Sequence, residues 1–139
     1  MLYKKEIHKN PSKMMLRYAL SAPFIYGMIV PAVFLDASIE IYHRIAFALY
    51  QLPYVRRSDY IRIDRHRLSY LPWYDKINCT YCGYVNGLFA YAVKIAGETE
   101  KYWCAIKHKN VPNFIEPEYQ KDFLPYGDAE ALKKFEKKK

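Results

Sequence analysis

The sequence predicts a mainly α-helical protein in which an N-terminal membrane-associated helical hairpin or single span precedes a small helical Cys/His metal-binding region. Three observations carry that expectation. Tyr18 to Leu35 runs eighteen residues without a charge. The excess positive charge, +8 net, brackets that run and is densest in residues 1–17 and 56–77. All three cysteines and one of the four histidines fall between Cys79 and His108. At 139 residues the chain reads as one domain with an apolar segment attached. Its parts are a basic arm (1–17), a membrane-associated segment (18–55), a Cys/His region (56–127), and a C-terminal helix with a basic tail (128–139).

The arm carries Lys4, Lys5, Lys9, Lys13 and Arg17. Beside an apolar run, such a flank meets anionic lipid headgroups, at about 1 kcal/mol per basic residue near the surface. Tyr18–Leu35 as a helix covers about 27 Å at ~1.5 Å per residue, just short of the ~30 Å hydrocarbon core. Pro23 and Pro31 interrupt its hydrogen-bond ladder. Asp36, Glu40, His43 and Arg44 follow, then a second uncharged run, Ile45–Val55, too short to cross. Extended upstream, it makes an amphipathic helix with Ile41, Ile45 and Leu49 on one face and Glu40 and Arg44 toward water. A hairpin bent near Pro31 keeps both basic flanks on the cytosolic side. A single crossing splits them, against the positive-inside tendency. A buried helical hairpin in a soluble protein is the third arrangement. The first places the chain at the inner (cytoplasmic) membrane, with Met1 and Cys79 both facing the cytosol.

Residues 56–67, RRSDYIRIDRHR, read as a short strand or a helix start. Arg56, Arg57, Arg62, Arg65 and Arg67 suit anionic headgroups, since guanidinium groups pair with phosphate in a fork. Nucleic acid is the rival partner, because arginine and tyrosine also serve phosphate contact and base stacking; the adjacent apolar run makes lipid phosphate the more economical one. Asp64 and His66 are secondary candidates for ligation or chemistry, against the plainer reading of a salt-bridged aspartate and a surface histidine.

Residues 69–78 read as a turn into Cys79-Thr-Tyr-Cys82-Gly83, where a tight turn with glycine at positive φ aims two thiolates at one point. Cys104-x3-His108 supplies a third sulfur and an imidazole. Together Cys79, Cys82, Cys104 and His108 make a Cys3His set suited to structural zinc, with iron as the alternative. The plainer readings are a C-x2-C pair alone, or inert thiols. One site requires the chain to reverse, because a straight helix separates Cys82 and Cys104 by roughly 33 Å. Gly97 followed by Glu98 and Thr99 is the natural place, with Asn86 capping a helix over Leu88–Ala96. Against a reversal, Leu88, Ala92, Ile95, Thr99, Tyr102 and Ile106 keep helical period through the glycine. An unbroken helix puts Glu100, Cys104 and His108 on a stripe of their own. Residues 111–127, with Pro112, Pro117 and Pro125, should be irregular, and Asp128 should cap the last helix.

An odd cysteine count and the lack of a signal-peptide pattern favour reduced, cytosol-facing thiols over a secreted disulfide scaffold. Locally, Cys79-x-x-Cys82-Gly83-Tyr84 resembles a rubredoxin-type knuckle, with C-x3-H in place of the second C-x-x-C. More broadly, residues 18–128 resemble small bacterial membrane-associated proteins of unassigned function that share RRSDY, IDRHRL, YCGY-x-NG, YWC-x-IKH and a late YGDAE in this order. That resemblance implies no activity. The function expected is a membrane-associated zinc protein serving as an interaction or assembly module with a protein partner. A redox protein using C-x2-C or bound iron, and a basic zinc module on nucleic acid, are the alternatives. No Gly-rich phosphate loop, nucleophile elbow or paired-carboxylate motif points to a conventional enzyme.

Overall fold

The computed structural model describes residues 11–137; residues 1–10 of the basic arm and the last two lysines lie outside them. The described residues are mainly helical and contain no strand. Four α-helices follow in order: α1 (Pro11–Gly27), α2 (Ile29–Leu49), α3 (Trp73–Trp103) and α4 (Ala129–Glu136).

α1 and α2 form one long apolar rod with a break at Met28. Pro31 explains the break, because it has no N–H to offer the Gly27 carbonyl four residues back and its ring crowds that carbonyl. Helical bonding resumes at once, with Ala32 N–H donating to Met28 O at 3.1 Å. The bend near Pro31 therefore makes no hairpin, and the chain continues in helix to Leu49. There Gln51 adopts φ +54°, and Leu52 N–H closes on Phe47 O at 2.9 Å. That is the left-handed closure by which helices end.

Residues 50–72 run back between α2 and α3, with 3-10 turns at Arg57–Asp59 and Arg65–Arg67. α3 therefore starts near the level of α1 and runs parallel to α2. Cross-contacts rise together along both helices: Tyr26 with Asn78, Asp36 with Tyr84, His43 with Tyr91, Tyr50 with Trp103. The apolar core lies along this seam, from Ala32, Phe47 and Val55 to Val85, Leu88, Tyr91 and Ile95.

Residues 69–71 turn as expected, but α3 is a single helix through Cys79–Gly83 and Gly97, where the sequence also suggests turns. Asn86 is interior to it. Gly83 and Gly87, one turn apart, let the returning backbone press against the helix. A Cβ at Gly83 would stand 2.6 Å from Arg62 O, and one at Gly87 would stand 2.7 Å from Tyr60 O. Gly97 likewise seats the Tyr119 ring, where a Cβ would meet a ring carbon at 2.9 Å. These glycines permit close approach; none is a turn.

Beyond α3 the chain folds back on its end. Leu124 N–H donates to Ala105 O and Lys107 N–H to Leu124 O, each at 2.8 Å, and Phe123 and Gln120 are buried. Residues 111–127 are irregular apart from a 3-10 turn at Glu118–Gln120. Asp128 caps α4 as expected, its carboxylate accepting from Ala131 N–H at 2.9 Å.

Candidate functional site

The four expected metal ligands do not converge. Cys79 and Cys82 lie in the first third of α3, and Cys104 is the residue that ends it. Twenty-two residues of helical rise separate Cys82 from Cys104 by about 33 Å. His108 lies further on, its Nε2 4.0 Å from Glu100 Oε1. The reversal at Gly97 on which one site depends is absent, because Tyr119 rather than a turn explains that glycine. Among the described residues no three His, Cys, Asp or Glu side chains are grouped so as to share an ion. The residues present do not fit one zinc or iron. The stripe that an unbroken helix leaves is also reassigned: Glu100 accepts from Gln120 Nε2 at 2.7 Å, and Cys104 is exposed.

The arginine segment divides. Arg57 is not free for headgroups; its guanidinium grips both oxygens of Asp36, with Nη2 to Oδ2 at 2.6 Å. That bond holds the Arg57 proton more firmly than in an ordinary arginine. Arg56 faces Asp59 at 3.6 Å. Arg62, Arg65 and Arg67 are exposed and make no ion pair among the described residues. Asp64 and His66 are exposed beside them, with His66 at the rim of an apolar cleft shared with Tyr26, Ile29, Lys76 and Tyr81.

A buried polar seam went unread in the sequence. Tyr84 Oη donates to Asp36 Oδ2 at 2.7 Å, and burial and then this bond push the phenol pKa up. Two turns along, His43 is fully buried, and its Nε2 accepts from Val55 N–H at 3.2 Å. The ring is therefore neutral with its proton on Nδ1, which faces Tyr91 Oη at 2.9 Å. Tyr91 can then donate onward to Glu40 Oε2 at 3.2 Å. Every donor in the chain has an acceptor. The signal available in the sequence is the spacing of Asp36, Glu40 and His43, a polar stripe on one face of an apolar helix. Glu40 thus serves this seam as well as its surface pair with Arg44.

The opposite face of the α1–α2 rod is bare. Leu16, Leu20, Phe24, Phe34, Ile41, Ile45 and Leu49 recur at helical spacing on that side and are all exposed, Phe24 at 80% and Phe34 at 76%. The seven residues that trace it are uncharged, Arg17 and Arg44 stand exposed beside it, and Asp36, Glu40 and His43 point into the seam. Such a continuous apolar surface is uncommon on a soluble monomer. The rod is long and apolar enough to cross a membrane. Set against protein-family models, curated proteins and solved structures, the chain finds no match, so the site is read from its own residues.

Proposed function

We propose that this chain is a membrane-associated helical module that binds lipid through the outer face of α1–α2 and presents α3 and the returning segment as an interaction or assembly surface for a protein partner. The observation that carries the reading is the exposed apolar stripe traced by Leu16, Leu20, Phe24, Phe34, Ile41, Ile45 and Leu49. A helix apolar on all sides is buried on all sides; here the protein covers one face, and lipid supplies the other cover. The basic flanks favour anionic headgroups and the cytosolic face of the inner membrane. No metal enters this reading, because the thiols and His108 do not fit one ion.

Vesicle co-sedimentation tests it. The intact chain should pellet with anionic vesicles and resist carbonate extraction. Phe24→Asp with Phe34→Asp should release it while leaving helix content unchanged, since both side chains are exposed. A chain that stays soluble with such vesicles, or a double variant that pellets as before, would show the reading to be wrong.

A further inference from the structure

From the levels of the charged residues, we infer that the α1–α2 rod lies in the plane of an anionic membrane interface and does not cross it. The inference rests on the membrane reading above and specifies how lipid is met. The first argument is length. The rod's stretch Met14–Leu49 is 36 residues long, about 54 Å at ~1.5 Å per residue. A core of ~30 Å takes only about 20 helical residues, so a crossing would leave a large part of the exposed apolar stripe outside lipid.

The second argument is level. A crossing would use the uncharged run Tyr18–Leu35, but charged groups stand beside its midpoint. His66 and Lys76 line one cleft with Tyr26 and Ile29. Asp75 lines another with Ser21, Ala22 and Ile25. Arg65 and Arg67, exposed, flank His66. Crossing at Tyr18–Leu35 would carry this group to the depth of the acyl chains, where such charges are costly and must find partners.

Lying flat removes the conflict. The outer stripe enters the boundary between headgroups and acyl chains, as interfacial helices do. The returning segment packs on the far side of the rod, through Arg57 on Asp36 and Val55 on His43. Arg62, Arg65 and Arg67 then stand about one helix diameter (~10 Å) above the interface. That is close to the Debye length of ~8–10 Å at physiological salt, so they still feel anionic headgroups.

The test uses the full chain with Cys79, Cys82 and Cys104 replaced by serine and one spin label at Leu16, Phe24, Phe34 or Ile45. The vesicles are equal parts phosphatidylcholine and phosphatidylglycerol. All four labels should report one shallow depth, and binding should be about tenfold tighter than to phosphatidylcholine alone. Oriented circular dichroism of the unmodified protein should show helices parallel to the bilayer, a reading independent of the labels. A depth gradient with Phe24 at the bilayer centre, or helices along the normal, would establish a crossing and overturn the inference while leaving membrane association intact. Equal binding to neutral vesicles overturns its anionic part. Labels that contact no lipid, or that couple to each other in a dimer without lipid, sink the membrane reading itself.

Discussion

At the level of single residues, glycine and tyrosine are the informative side chains. Gly83 and Gly87 are interior to a helix, where glycine ordinarily costs roughly 0.5–1 kcal/mol against alanine. They stand there because the Arg62 and Tyr60 carbonyls occupy the space of a Cβ. Gly83→Ala and Gly87→Ala should each destabilise the protein by about 1–3 kcal/mol, the range of overpacking. Gly27→Ala, with nothing within 4 Å of its Cβ, should be neutral or slightly stabilising. Chemical denaturation of the three variants side by side checks the contrast; equal effects would mean the close approach is not formed. Tyr91→Phe should cost about 1–3 kcal/mol, because it strips the buried His43 N–H of its acceptor. An unchanged midpoint would mean that the His43 proton has another partner. Neither the approach nor the seam could be read locally. The backbone that requires Gly83 is that of Arg62, 21 residues earlier, and the acceptor for His43 lies on α3.

Among the elements, the long ones were the most legible. The uncharged run, the long helix, the irregular residues 111–127 and the Asp128 cap all follow from local pattern. The helical period from Leu88 to Tyr102 was also visible and survives in α3. What failed was the inference from Cys-x2-Cys-Gly to a turn, since glycine next to cysteine marks either a knuckle or a crossing backbone. Only the position of residues 60–62 separates the two. The same ambiguity misplaced the hairpin: Pro31 interrupts the ladder without reversing the chain. A measurement follows at this scale. Cys82→Ser and Cys104→Ser, singly or together, should leave stability within about 0.5 kcal/mol, as exposed substitutions do. Chelator should not shift the unfolding midpoint. A large loss shared by both variants and reproduced by chelation would restore a metal bridging two chains.

Over the whole molecule, two layers differ in how firmly they are held. The α2–returning segment–α3 seam combines the apolar core with the Asp36–Arg57 and His43–Tyr91 contacts. The C-terminal segment is held at fewer points: Tyr119 on Gly97, Gln120 on Glu100, and the backbone pair at Leu124. Tyr119→Ala should therefore open residues 105–128 to protease while α3 stays protected, a sub-global opening of the kind weakly tethered segments undergo. Simultaneous cleavage within α3 would show that the layers unfold as one. The parallel course of α2 and α3 bears also on the order of events during synthesis. His43 meets Tyr91 across 48 positions of sequence. At ~5–20 residues per second, the ribosome needs roughly 2–10 s to deliver that partner. For those seconds the nascent rod has neither face covered, and α3 arrives late to a surface that lipid or a chaperone can occupy first.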